Sequence, residues 1–266
     1  MGTADSKRTI TRLNGPISVW PLPCSPVSLR ERILVPERMD APDLSEREHD
    51  LALRGLARLN RLSRADLTLW RFLGPILATV PKGGVLRILD VATGSGDLPI
   101  QLSQRARHRF PNVTIQWAAC DISEHALETA TRRAHAAGLK FQPHRLDVTA
   151  DLLPENDVTI CSLFLHHLEP SQVVGLLARM ATSATTGIII SDLRRTRTGL
   201  LLAHLAGRCF SRSPIVHFDA PASVRGAFTH SELADLANHA GLQGSHMARV
   251  FPERMILHWS AKGAAG

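Results

Sequence analysis

Three different spacings of apolar residues follow one another along the chain. Residues 1–44 carry six prolines and no sustained period, which predicts an irregular N-terminal arm. Over residues 45–83, leucines recur every three or four positions with arginines between them, which predicts a helical extension that we interpret as a lid. The sequence PKGG at its end, residues 81–84, is a typical helix stop.

From residue 84 onward, short apolar runs alternate with segments of helical spacing. The runs predict strands at about 86–91, 113–120, 140–147, 157–163, 187–192, 246–251 and 254–260. The helical segments fall near 97–108, 123–137, 171–183, 197–210 and 230–240. This alternation is typical of an α/β protein with a Rossmann-like, doubly wound sheet, here of seven strands. Only Pro252 and Glu253 separate the last two strands, so the last strand is predicted to be antiparallel.

The same pattern predicts one large domain over residues 84–266, with an insertion at about 193–229 that caps the substrate. The composition of the whole chain, 44% hydrophobic and 21% charged, is that of an ordinary globular protein. The longest uncharged apolar run, near residues 187–191, is far too short to cross a bilayer, so no membrane span is expected. The basic N-terminus is not followed by an apolar segment, so no secretory signal is expected either.

The four cysteines, Cys24, Cys120, Cys161 and Cys209, lie far apart and show no metal-ligand spacing. Two of them fall inside predicted strands, which is typical of buried free thiols in a reducing compartment. We therefore predict a cytoplasmic protein without a disulfide framework and without a metal site.

The formal net charge of +7 raises the question of a nucleic-acid partner, because phosphate contacts supply most non-specific affinity. The arginines are scattered, however, and the chain has no tyrosine on which a base could stack. The charge pattern therefore argues against nucleic acid as the partner.

A glycine-containing turn, LDVATGSGD at residues 89–97, joins the first predicted strand to the first helix after it. Such a turn faces the ligand of a doubly wound sheet, and its glycines let the backbone approach that ligand closely. The spacing GxGxxG that dinucleotides require is absent in either register, counted from Ala92 or from Gly94. Asp97 would also repel a pyrophosphate. A ligand with one carboxylate and a cationic centre suits the turn better.

The stretch ILDVATGSG, residues 88–96, resembles the first motif of class I S-adenosylmethionine (SAM)-dependent methyltransferases, hh(D/E)hGxGxG, with Ala92 in place of the first glycine. The resemblance covers roughly residues 84–260 and implies SAM as the cofactor. It implies that the cofactor is bound by the loop residues Ala92, Thr93, Gly94 and Gly96, and that Asp90 orients the loop and the amino end of the cofactor. A tight turn and a structural aspartate are the plainer alternatives.

Three further stretches match the family in order. In WAACDIS, the resemblance implies that Asp121 accepts both ribose hydroxyls, with Ile122 beside it. In HRLDVT, Asp147 and the amide of Val148 match the position at the adenine edge. NDVTICSLFLHHL matches the fourth strand and the loop after it. Asp121 has an alternative role at a helix N-terminus, and Asp147 has one in a turn.

Four other segments narrow the resemblance to bacterial proteins similar to ubiquinone/menaquinone C-methyltransferases. They read PERMDAPDL from residue 36, ALRGLARLNRLS from 52, SDLRR from 191 and VHFDAPASVRGAF from 216. They identify a subfamily and leave the substrate open.

Three histidines are candidates for a catalytic base, which a phenol or an activated ring carbon would need. His166 and His167 follow the fourth strand, on the side where this fold binds substrate. His217 lies two residues before Asp219, and on an extended strand the two would share a face, so that Asp219 would orient the histidine. Each of these histidines has packing or hydrogen bonding as the plainer alternative.

The candidate substrate-binding residues are Asn60, Arg195 and Arg225, with Arg194 beside them. Guanidinium groups bind carboxylates in a bidentate manner, which would suit an acidic aromatic substrate, although solvation is the commoner fate of an arginine. Asn60 would contact ligand from the helical lid.

These observations favour a methyltransferase that acts on oxygen or carbon of a small aromatic, quinone-like or polyketide-derived molecule. Two alternatives remain open: an RNA or protein methyltransferase, and a SAM-binding scaffold without activity. CSLFLHH at residues 161–167 lacks the (D/N)PP(Y/F) motif of adenine methylation, which argues against the first. The sequence leaves the formation of a homodimer undecided.

Overall fold

A computed structural model describes residues 29–40, 44–45, 47–48, 51–52, 54–55, 58–59 and 65–261 of the 266-residue chain. Asn60, Cys24 and most of the predicted N-terminal arm lie outside the described residues. The chain divides into two compact units. The sheet unit comprises residues 64–192 and 230–266, and the helical unit comprises residues 1–63 and 193–229.

The sheet unit contains one seven-stranded sheet in the order β3-β2-β1-β4-β5-β7-β6. Its strands are β1 (Val85–Val91), β2 (Thr114–Asp121), β3 (Phe141–Arg145), β4 (Asn156–Ser162), β5 (Ala184–Leu193), β6 (His246–Val250) and β7 (Arg254–Ser260). The pairs β1–β2, β2–β3, β1–β4 and β4–β5 are parallel, whereas β6 and β7 are antiparallel. The predicted Rossmann-like fold with an antiparallel end is confirmed.

Seven α-helices connect or flank these strands within the described residues. They are α1 (Ala65–Thr79), α2 (Asp97–Arg109), α3 (Glu124–Ala136), α4 (Pro170–Ser183), α5 (Arg197–Phe210), α6 (Pro214–Gly226) and α7 (His230–His239). Helix α6 was not predicted from the sequence. Pro214 at its first turn and Pro221 inside it resemble loop signals, although proline is well tolerated in a first helical turn.

The largest apolar core lies in the sheet unit. Leu69, Leu73 and Leu77 recur every four residues along α1 and are fully buried. They belong to one cluster with Ile88 of β1 and Ile160 of β4. This packing holds the central strands in place, and the ends of those strands carry the candidate site.

The helical unit is built around α5 and α6, to which an N-terminal segment is bound. Both carboxylate oxygens of the buried Asp219 on α6 accept backbone N–H groups, from Arg38 at 2.8 Å and from Met39 at 3.1 Å. The Arg38 guanidinium also lies 4.0 Å from the ring centroid of Phe218. These contacts tie residues 38–39 to a helix that lies far away in the sequence.

None of the helices in the described part of the chain has the length and apolar character needed to cross a bilayer.

Candidate active site

Polar side chains of the sheet unit gather where the parallel strands end. Asp90 lies near the end of β1, Asp121 ends β2 and Asp192 lies near the end of β5. The pairs β1–β2, β1–β4 and β4–β5 are all parallel, so the carboxyl ends of these strands lie at one edge of the sheet. In this architecture that edge is where ligands bind.

The turn after β1 bends through left-handed backbone conformations. Ala92, Gly94 and Gly96 have φ angles of 54°, 53° and 73°. The two glycines differ in their surroundings. A Cβ on Gly94 would meet no atom within 4 Å, whereas a Cβ on Gly96 would lie 3.0 Å from the Ala130 Cβ. Gly94 therefore leaves open space beside the turn, and Gly96 allows the turn to pack on α3.

Asp97, at the start of α2, is not a free negative charge. Its carboxylate forms an ion pair with Arg133 and accepts a hydrogen bond from the Ser95 hydroxyl at 2.7 Å. The charge of Asp97 therefore does not exclude a pyrophosphate, and only the spacing of the glycines in the turn disfavours a dinucleotide.

Asp90 is a buried carboxyl group in contact with the turn. Its Oδ2 accepts a hydrogen bond from the Thr93 hydroxyl at 2.6 Å. Burial, and to a smaller extent the charge of Asp121, raises the pKa of Asp90 to about 7, against the effect of the Thr93 hydrogen bond. Near neutral pH this group is therefore ready to ionise when a cation approaches it.

Asp121 joins the ends of β1 and β2. Its Oδ2 accepts the N–H of Gly94 at 2.9 Å, and its Oδ1 accepts the N–H of Ser123 at 2.9 Å. Each carboxylate oxygen keeps acceptor capacity for a further donor. Ile122, the next residue, is 65% exposed. A carboxylate with two available oxygens beside an exposed apolar side chain suits a ribose and the base attached to it.

Asp147 and Val148 follow β3. The Asp147 Oδ1 accepts both the N–H and the hydroxyl of Thr149, at 2.8 and 2.7 Å. These hydrogen bonds lower the pKa of Asp147 and hold it in a local turn. Val148 is buried, and its carbonyl accepts two hydrogen bonds from Arg179. The position is well fixed, and its role toward adenine stays a prediction.

His166 lies in a short 3-10 turn after β4, and its ring is held by Asp192 of β5. The His166 Nδ1 lies 2.6 Å from the Asp192 Oδ1, and the His166 backbone N–H donates to Oδ2 at 3.2 Å. The side chains are only 5% and 2% exposed. His167 is exposed, and its ring centroid lies 4.2 Å from that of His166. The structure thus distinguishes two adjacent histidines that the sequence could not.

Asp192 is the residue that sequence reasoning missed. It lies at the end of a predicted strand, within SDLRR, so the rule that ligands bind beyond the carboxyl ends of parallel strands could have found it. Arg254 of β7 is also buried, and burial lowers its pKa to about 10, while the charge of Asp192 acts in the opposite direction.

Neither buried cysteine at this edge is suited to nucleophilic chemistry. Burial raises the pKa of Cys120 to about 12 and raises that of Cys161 well above its usual range. Both thiols therefore stay protonated, and protonated thiols are poor nucleophiles. Both are free thiols, as is the exposed Cys209.

The interpretation of His217 and Asp219 as neighbours on an extended strand is wrong. Both lie on α6, where residues two positions apart point in different directions. The His217 Nε2 lies 2.9 Å from the carbonyl of Ser211, and Asp219 binds Arg38 and Met39 as described. Asp219 therefore does not orient His217.

The two arginines predicted to bind substrate also differ in their surroundings. The buried Arg195 donates from Nη1 to the Ala227 carbonyl at 2.7 Å and from Nε to the Leu29 carbonyl at 3.0 Å. These bonds join segments of the helical unit, which indicates a structural role. Arg225 is buried as well, yet its Nε has no partner among the described residues. Arg194, which precedes Arg195 in the motif SDLRR, is half-buried.

Comparisons with known proteins agree with this geometry. Residues 88–187 match the family model described as a methyltransferase domain. No curated protein matches the chain. The chain superposes on the SAM-dependent methyltransferase SibL with a TM-score of 0.59 and 20% identity over 83% of its length, and it spans only 60% of SibL.

Two other solved structures are similar over nearly their whole length. Magnesium protoporphyrin IX methyltransferase (ChlM) from Synechocystis, with bound SAH, is 18% identical, with a TM-score of 0.50 over 84% of this chain and 91% of ChlM. The plantazolicin methyltransferase BpumL, in complex with a substrate analogue and SAH, is 15% identical, with a TM-score of 0.53 over 82% of this chain and 98% of BpumL. The chain has the class I methyltransferase fold. Residues 88–187 match a methyltransferase domain, which implies SAM as the cofactor.

Proposed function

We propose that this protein transfers a methyl group from SAM to an oxygen or carbon atom of a small aromatic, quinone-like or polyketide-derived acceptor. The observation that carries the proposal is the contact between the Gly94 N–H and the Asp121 carboxylate, beside the buried Asp90. This arrangement fits the cofactor. Asp121 offers oxygens to a diol, Gly94 leaves open space, and Asp90 offers a carboxyl group to the cationic end.

In this proposal each residue of the strand edge has a defined task. Asp121 holds the ribose hydroxyls, and Ile122 covers the adenine, whose edge contacts Asp147 and Val148. Ala92, Thr93, Gly94 and Gly96 shape the turn that follows the cofactor, while Asp90 binds its amino group. Holding both reactants in line is the main contribution of the protein, worth up to ~7–11 kcal/mol in well-oriented systems.

SAM supplies the electrophilic methyl group when it is bound. What the chain itself adds is a base for an acceptor that arrives protonated. In this proposal Asp192 is ionised and can only accept, so a neutral His166 ring carries its proton on Nδ1, facing Asp192. The His166 Nε2 then carries a lone pair and accepts the proton of the acceptor.

A small-molecule acceptor is supported by the structural neighbours. ChlM methylates a porphyrin, and BpumL binds a plantazolicin analogue. The narrower resemblance to quinone C-methyltransferases rests on the sequence motifs at residues 36–44, 52–63, 191–195 and 216–228, which leave the substrate itself open. A cytoplasmic location stays a prediction from the cysteine pattern, and the formation of a homodimer stays open.

Calorimetric titration with SAH tests the cofactor site. Loss of two charge-assisted hydrogen bonds, each worth about 1.5–3 kcal/mol, should weaken binding by about a hundredfold or more in Asp121→Ala. Asp235→Asn, on the exposed face of α7, is the matched control and should bind like the wild type. Wild-type-like affinity in Asp121→Ala would refute the assignment.

The acceptor is found by screening phenols, quinols and aromatic acids with methyl-labelled SAM and then locating the label. Transfer to RNA or to a protein, with none to the small molecules, would instead establish the alternative class of methyltransferase.

A further inference from the structure

Among the described residues of the helical unit, the buried cation Arg225 has no counter-ion. Arg225, near the end of α6, is 5% exposed, and its Nε is buried without a hydrogen-bond partner among the described residues. Burial alone accounts for the lowered pKa of its guanidinium, and no carboxylate contributes to it. An arginine is rarely buried in a protein unless its guanidinium is paired or hydrogen-bonded.

The other buried arginines of this unit show what Arg225 lacks. Arg195 donates to two main-chain carbonyls, and Arg32 donates to the Gly226 carbonyl with its guanidinium 4.0 Å from the Phe228 ring centroid. The Arg225 backbone is fixed in place, since its carbonyl accepts the N–H of Ile33 at 3.2 Å. The Arg225 backbone is thus fixed, while its guanidinium Nε makes no hydrogen bond within the described part of the chain.

The surroundings of Arg225 are basic. Burial lowers the pKa of His204 on α5, and the charges of Arg208 and Arg225 lower it further, which places His204 within electrostatic reach of both. The Arg208 Nη1 lies 3.4 Å from the His204 Nδ1. Arg208 is exposed, His204 is half-buried and Arg225 is buried, so the burial of these three basic side chains increases from Arg208 to Arg225.

We propose that Arg225, with His204 and Arg208 beside it, binds the carboxylate of a small organic acid. A planar guanidinium recognises a carboxylate through two parallel hydrogen bonds, and the exposed Arg208 attracts the anion from solvent. The identification of this acid as the methyl acceptor rests on the proposed function. The proposal that Arg225 binds a carboxylate does not depend on the proposed function.

The test compares benzoate with benzamide, which has the same shape without the charge. By calorimetry, benzoate should bind the wild type at least about tenfold more tightly than benzamide, because hydrogen bonds to a charged group are worth about 1.5–3 kcal/mol. Arg225→Gln should lose this preference. Arg225→Lys should keep part of it, since a lysine retains the charge and loses the bidentate geometry. Arg212→Gln, an exposed position of the same unit, is the matched control and should retain it.

The His204 ring provides a second measurement, which does not require a variant. In NMR titrations, saturating benzoate should raise the His204 pKa, because an anion offsets the charge of Arg225, and benzamide should leave it unchanged. The proposal is wrong if benzoate and benzamide bind equally, if millimolar benzoate does not bind, or if Arg225→Gln binds benzoate like the wild type. It is also wrong if inorganic phosphate binds there and benzoate does not, since the site would then take free phosphate.

SAH binding separates the two proposals. Arg225→Gln should bind SAH with wild-type affinity. A wild-type protein that binds SAH but shows no preference for benzoate would disprove the carboxylate site alone. A protein that prefers benzoate but does not bind SAH would disprove the methyltransferase proposal and leave the anion site standing.

Discussion

Two histidines, one in each compact unit, meet very different partners. His166 in the sheet unit is held by the buried Asp192 at 2.6 Å, whereas His217 in the helical unit has its Nε2 2.9 Å from the Ser211 carbonyl. In the sequence, His217 had the nearer carboxylate, two positions away, and His166 had its partner 26 positions away. Proximity along the chain was therefore a poor guide to pairing, and the topology of the sheet was a better one.

The largest expected effect tests this contrast directly. With an acceptor that must lose a proton, His166→Gln should lower kcat by about 10²–10⁴-fold, the usual contribution of a general base. Its affinity for SAH should be unchanged, since His166 lies outside the cofactor residues. Asp192→Asn should also lower kcat and shift its pH profile, because an amide can donate to Nδ1 and favour the wrong tautomer.

His217→Gln is the matched comparison in the helical unit. We expect this variant to have a lower thermal stability and to retain most of kcat, because the His217 ring forms a hydrogen bond with a carbonyl of its own unit. Equal losses of kcat in His166→Gln and His217→Gln would contradict the assignment of the base to the sheet unit.

The buried Asp90 should make cofactor binding depend on pH. An ammonium group favours the ionised carboxylate, so SAH binding should release a proton from a group with a pKa of about 7. Affinity should rise by up to about tenfold per pH unit below 7 and level off above it. Calorimetry in buffers of different ionisation enthalpy counts the released proton. Asp90→Asn should lose this dependence, whereas Asp235→Asn should keep it.

The Asp90 carboxyl group also makes the free energy of unfolding depend on pH. This free energy should fall as the pH rises, whereas the affinity for SAH should rise. The folded pKa of about 7 exceeds the unfolded value of 3.8, so the fold favours the protonated form. This contribution to the free energy of unfolding is fully present below pH 3.8 and is lost as the pH rises toward 7. Comparing urea unfolding of the wild type and Asp90→Asn across this range isolates it. A difference that stays constant with pH would contradict the raised pKa.

The strand edge could be predicted because each of its residues stands beside a strand end. The turn with Gly94 and Gly96 was located from an apolar run and the rule for parallel sheets, whereas Asp90 and Asp121 were assigned through the resemblance to class I methyltransferases. The distinction between His166 and His167 depends on a 3-10 turn that no apolar period reveals. Asp192 was within reach of the same rule.

The segment 193–229 resisted prediction for two physical reasons. Pro214 and Pro221 conceal the helical spacing of α6, although the first of them fits a helix start. The partners of its polar residues also lie far away in the sequence. Asp219 accepts from an amide 181 positions away, and Arg195 donates to a carbonyl 166 positions away. Pairing at such separation depends on packing, which the local pattern does not encode.

Asp219 gives the smallest expected effect and tests the helical side of the comparison. Asp219→Asn keeps one acceptor oxygen and exchanges the other for a donor, which faces the backbone N–H of Arg38 or Met39. The free energy of unfolding should fall by about 1–3 kcal/mol, the cost of leaving a buried group unsatisfied. Limited proteolysis should then cut more readily near residues 38–39, while affinity for SAH stays at the wild-type level. Asp235→Asn controls for loss of an exposed charge. Unchanged stability and proteolysis together with a lost kcat would instead restore Asp219 as the partner of a catalytic His217.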